Sequence, residues 1–147
     1  MPEKPNPEDV AKKESEKVVD GKKVNPNEVV AILDSIFTKG YYEEEVLLPR
    51  GHKCVFRTRS AKQAKMIDGK LEADAAQTQK RYNNLHSVYC LASALMSFDG
   101  KEMPVEFDKK LLLVDEWATP LIDMLLIELG KFDDKIAAAY TLDNVKN

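Results

Sequence analysis

The chain has 147 residues, 44% of them hydrophobic and 32% charged, with a formal net charge of -3. That length suits one domain with a real core, and the mixed, slightly acidic charge excludes a nucleic-acid binder working through a basic face. No apolar stretch approaches the roughly 20 residues that span a bilayer, and Met1 leads into "PEKPNPED" with no apolar leader segment, so a soluble, intracellular chain without membrane insertion is expected.

Residues 1–24 are rich in Pro, Lys, Glu and Asp. Their few apolar side chains do not offset the entropy of ordering, so they are expected to form a flexible charged arm, with at most an amphipathic turn around Val10 to Val19. One mostly helical domain, 25–147, should follow. Asn25 can cap a helix whose first position is Pro26, and Glu28 stands where a capping box wants it. Val29, Ile32, Leu33, Ile36 and Phe37 recur at helical spacing, and Gly40 reads as the stop.

The period changes in "YYEEEVLLPRGHKCVFRTRS". Val46 and Leu48 alternate before Pro49-Arg50-Gly51, and Val55, Arg57 and Arg59 alternate after it, which predicts a β-hairpin near 43–59. Glu43 and Glu45 are expected to face Arg57 and Arg59 across it. Ser60 with Gln63 forms a capping box. It opens a helical pattern over 61–97 with a polar middle, read either as one long helix or as two meeting near Asp74 to Lys80. Asp99-Gly100 marks a turn. Val105 and Phe107 read as an extended segment, and a short helix starts at Asp108. Thr119 is expected to cap a last helix with Pro120 at its first position, running to about Leu129. Gly130 either ends that helix or weakens it, and "KFDDKIAAAY" is helical again. The fold class is α+β, mostly α.

The chemistry-bearing residues form no recognisable constellation. There is no Gly-rich phosphate loop, no G-x-S-x-G and no H-E-x-x-H. Cys54, Cys90, His52 and His86 are zinc-ligand types without the paired short spacing of structural sites. The acidic runs at Glu43 to Glu45 and at Asp133-Asp134 read as solvated faces. No catalytic residue, metal or cofactor is therefore expected. Partner contact is assigned to Pro5, Val10, Val18 and Val19 in the arm, to Tyr41 and Tyr42 at the hairpin entry, and to the exposed side of the long helix. Trp117 and the Leu121 to Leu129 helix go mainly to the core.

Three stretches carry a family resemblance. "VFRTRSAKQAKMIDG" has the look of a strand, R-x-(S/T), helix entry, with Thr58 and Ser60 interleaved with Arg57 and Arg59. "LASALMSFDGKEMP" has an alanine-rich helix and S-x-(D/N)-G-K-x-x-P. "LLLVDEWATPLIDMLLIELGKFDDKI" resembles a W/L-x-x-P-x-(L/I)-(I/V)-D-x-L helix followed by an aromatic before a final short helix, though one residue fewer separates Pro120 from Asp123. In this order, over roughly Glu44 to Ala139, the chain resembles small tail-assembly and baseplate-hub-type proteins of tailed bacteriophages. The charged arm and the Asn25 helix are additions to that pattern. The resemblance implies non-enzymatic protein-protein contact with other tail or baseplate proteins, or with copies of itself, in the host cytoplasm during assembly and in the virion tail. A transient assembly chaperone absent from the virion, and a cytoplasmic adaptor unrelated to phage, are the alternatives.

Overall fold

A computed structural model of the chain describes residues 17–19, 22–74 and 79–141. They form α-helices, a four-stranded antiparallel sheet and a separate two-stranded one, so the class is α+β with helix predominant. The described residues fall into two compact units, one drawn from 1–40 and 133–147 and the other from 41–132. The sequence alone suggests a different division, at residue 24.

In the first unit, β1 (Lys17–Val19) pairs antiparallel with β2 (Lys22–Val24), Val18 opposite Lys23. The helical turn expected over Val10 to Val19 is therefore replaced by strand at Lys17–Val19; the rest of that turn lies outside the described residues. Next, α1 (Pro26–Lys39) begins as anticipated, with the Asn25 side-chain oxygen accepting from the Asn27 amide at 2.9 Å. Glu28 does not complete a capping box; it pairs with Lys135 at 3.7 Å. Gly40 takes φ 86 and donates its amide to the Ile36 carbonyl, the left-handed helix stop that glycine favours. Val29 and Ile32 are buried, whereas Phe37, predicted to share their face, is 74% exposed. It lies with Val30 on the flank of the buried stripe, because positions 30 and 37 are two turns apart.

In the second unit, β3 (Glu43–Leu47) and β4 (Lys53–Arg57) make the predicted hairpin around a 3-10 turn at Pro49–Gly51. The register sets Glu43 opposite Arg57 but Glu45 opposite Val55, so the expected Glu45–Arg59 pairing does not form. Glu45 meets Lys53 instead, at 3.8 Å. The helical pattern after Ser60 is two helices, α2 (Ala61–Asp74) and α3 (Gln79–Ala94). The capping box is complete: the Gln63 amide donates to Ser60 Oγ at 3.1 Å and the Ser60 amide to Gln63 Oε1 at 2.8 Å.

The helix does not continue to residue 97. Leu95–Phe98 is β5, pairing with β4, and β6 (Lys101–Glu102) follows across Asp99-Gly100. Both turn residues have positive φ, 53 and 84, the two-residue hairpin turn that Asp-Gly favours. The extended segment expected at Val105 and Phe107 is absent: Phe107 opens α4 (Phe107–Asp115). Thr119 starts α5 (Thr119–Ala139) rather than capping it, since the Ala118 carbonyl already accepts from the Leu121 and Ile122 amides. Gly130 lies inside this continuous helix.

Strand order is β3-β4-β5-β6. The period of two sends Cys54 and Phe56 to one face, where both are fully buried. On that side Phe132 of α5 packs its ring 5.8 Å from Phe56 and 6.2 Å from Tyr42. A second cluster joins α2, α3 and α4: Ile67, Leu71 and Tyr89 are buried, with Met66, Leu85, Phe107 and Leu111 packed against them. Tyr89 meets Phe107 edge-on at 5.7 Å. Burial of these apolar side chains, about 1.5–3 kcal/mol each, is the main favourable term holding the unit together.

Candidate functional site

The opposite face of the sheet carries Glu43, Val55, Arg57, Ser97 and Glu102, which line a cavity of about 560 Å³. Met96, Met103, Pro104, Val105, Gln63 of α2 and Lys110 of α4 complete its wall. A register shift makes this wall. Val55 pairs with Ser97 but Phe56 with Leu95, so Met96 is an extra, bulged residue. The bulge lets Met96 and Ser97, consecutive in sequence, both line the cavity; strict alternation would send them to opposite faces.

The charges in this wall are unequally satisfied. Arg57 forms an ion pair with Glu43, its Nε donating to Glu43 Oε1 at 2.6 Å, and its guanidinium lies 4.0 Å from the centre of the Tyr41 ring. Lys110 is only 6% exposed as a residue, and that exposure includes its ammonium, which opens on the cavity without an ion pair or hydrogen bond among the described residues. Burial, with a smaller push from the Arg57 charge, holds its pKa below the usual lysine value. Nothing in the sequence reading singles out Lys110. The signal available was its spacing, three residues after Phe107 and four before Val114, on the inward side of α4.

Elsewhere, His52 Nδ1 lies 2.9 Å from Asp99 Oδ2, between the two hairpin turns, beside a smaller cavity of about 260 Å³ lined by Leu48, Phe98, Leu121 and Met124. No serine, threonine or cysteine lines that cavity, so the pair has no nucleophile beside it to activate. His86 and Cys90 are one turn apart on α3, with sulfur 3.7 Å from His86 Nε2. Among the described residues no three His, Cys, Asp or Glu side chains are grouped to hold a metal ion. No described helix is long and apolar enough to cross a membrane.

The partner-contact residues expected from sequence are scattered. Pro5 and Val10 lie outside the described residues, and Val18 and Val19 belong to β1. Tyr41 lies against Arg57. Tyr42 stacks on Phe132 and donates its hydroxyl to Glu44 at 3.2 Å, so most of its ring is engaged internally. Trp117 is half-buried, its ring 5.1 Å from Phe98. The large apolar side chains that do stand in solvent include Val30 and Phe37 on α1, Leu47 at the end of β3, Val105 at the cavity rim, Leu112 on α4 and Ile127 on α5.

No protein-family model matches the chain, and no curated protein matches it in sequence. Among solved structures it is similar to one described as "Structure of bacteriophage HK97 tail assembly chaperone", at 16% identity and a TM-score of 0.43. The match covers 72% of this chain and 95% of that one.

Proposed function

We propose that this protein acts without catalysis, by binding other proteins during assembly of a bacteriophage tail. The observation that carries the binding role is the pair Val30 and Phe37, 57% and 74% exposed, two turns apart on one flank of α1. Exposing an aromatic and a β-branched side chain on one helix flank has a solvation cost that a partner would relieve, and such residues are enriched at interfaces. The tail setting rests on the sequence resemblance between Glu44 and Ala139. The expected partners are other tail proteins or further copies of the chain, met in the host cytoplasm.

The test is co-expression with candidate tail proteins and capture on the tagged chain. Val30→Asp with Phe37→Asp should leave helical content and thermal midpoint unchanged and abolish capture. Undiminished capture by this double variant would reject the α1 flank as the binding surface. Mass spectrometry of purified virions then separates the two roles. Recovery of the chain makes it a structural component of the particle; its absence makes it an assembly chaperone.

A further inference from the structure

Lys110 and the cavity around it have no role in the contact assigned to α1. Among the described residues the buried polar or charged side chains are Ser93 and Lys110, and Lys110 carries the charge. An ammonium at the end of a largely buried stem is poorly solvated, and the nearby Arg57 guanidinium disfavours its charge further. Arg57 is neutralised by Glu43; Lys110 is not neutralised by any described side chain. An anion brought to its ammonium would relieve both the desolvation and the repulsion.

The shape of the cavity says which kind of anion. Its volume, about 560 Å³, is in the range of ~300–1,000 Å³ typical of organic ligand sites and far exceeds what a small inorganic ion fills. Met96, Met103, Pro104 and Val105 give it apolar walls, and Val105 stands 97% exposed. Methionine side chains repack readily around a peptide. With Glu43 paired to Arg57, Lys110 and Glu102 are the remaining charges of the wall, so an acid gains only where it sits at Lys110 and away from Glu102.

We propose that this groove binds a peptide segment of a partner protein through a single carboxylate set on Lys110, with the apolar side chains beside it packed on Met96, Met103 and Val105. The inference rests on the protein-binding reading above and names the chemistry of a second contact, on another element. An uncharged or polyacidic segment fits the groove less well than an apolar segment with one acid.

The experiment uses the full chain labelled with carbon-13 at its methionine methyl groups. The probe is a capped leucine–aspartate–leucine peptide, with the leucine–asparagine–leucine peptide, sodium acetate and inorganic phosphate as comparisons. The Met96 and Met103 signals should shift saturably with the acidic peptide while those of Met66 and Met124 stay in place. The asparagine peptide should bind at least about tenfold more weakly, because it carries no charge to set against the Lys110 ammonium. Lys110→Met keeps the aliphatic stem and should reduce the acidic peptide to the level of its amide; Lys110→Arg should retain the preference. Equal binding of both peptides, or acidic-peptide binding unaffected by Lys110→Met, overturns the proposal. So do Met96 and Met103 shifts produced as well by phosphate or acetate alone, which would make this a small-anion site. The Val30 and Phe37 capture assay is unaffected by any of these results, so the groove can fail while the broader function stands.

Discussion

Cys54 has no exposed surface, and burial, reinforced by the negative charge of Glu128, pushes its thiol up to about 12. Cys90 is only partly buried on α3. In a titration with a chromogenic disulfide, Cys90 should react at once and Cys54 only as fast as the protein unfolds. Simultaneous reaction of both thiols would contradict the packing of Cys54 behind the sheet. The same shift predicts a pH dependence. Between the ordinary thiol value of 9.0 and about 12, the unfolded chain has lost this proton while the folded chain keeps it, so stability falls as pH rises. Cys54→Ala should lose that part of the slope in denaturant titrations across this window. Sequence alone could place Cys54 in a strand, as it did, but not say on which face, because the face depends on which neighbour the strand acquires.

At the level of elements, two glycines lie in helix interiors for no evident packing reason. A methyl group at Gly69 in α2 or at Gly130 in α5 would meet nothing within 4 Å. Gly69→Ala and Gly130→Ala should each raise stability by about 0.5–1 kcal/mol, through lower backbone entropy in the unfolded chain and better helix propensity. Gly40→Ala should do the opposite, since its φ of 86 strains any residue with a Cβ, and denaturant midpoints would show both signs. Local chemistry was the legible part of this chain. The Asn25 cap, the Ser60–Gln63 box, the Pro49–Gly51 turn and the Asp99-Gly100 turn were all readable from short-range rules. β5 was not, because "LMSF" continues the apolar period of α3 without a break. Only the free edge of β4, remote in sequence, makes a strand the better outcome there. The cavity was illegible for the same reason: its wall depends on the bulge at Met96, which the pairing of β5 with β4 creates.

On the scale of the whole molecule, β1 and β2 pair with each other and with no other described strand. Removing residues 1–24 leaves the Asn25 cap, α1 and the entire four-stranded sheet in place. The truncated chain should unfold at the same midpoint as the full one, because an isolated two-stranded ribbon contributes little on its own. If residues 1–24 contact a partner, the truncation should also weaken capture of tail proteins; normal incorporation of the shortened chain would remove that segment from the binding mechanism. The apolar character of α5 shows how far composition can mislead at this scale. "TPLIDMLLIEL" reads as greasy on most sides, yet Leu125 and Leu129 are buried while Ile127 is 61% exposed. A helix that sequence assigns mainly to the core still leaves part of its surface in solvent.

The four-stranded sheet has two unequal margins. At one, β6 is two residues long, too short to template anything. At the other, β3 is five residues long and has no strand on its outer edge among the described residues; it ends in the exposed Leu47, the kind of rim along which identical chains zip into fibrils. Three consecutive glutamates, Glu43 to Glu45, occupy that rim. A second β3 docking against the first would bring like charges into register, so the acidic run acts as a guard against runaway polymerisation. For a protein proposed to build a larger particle, that guard confines self-association to surfaces other than the sheet margin.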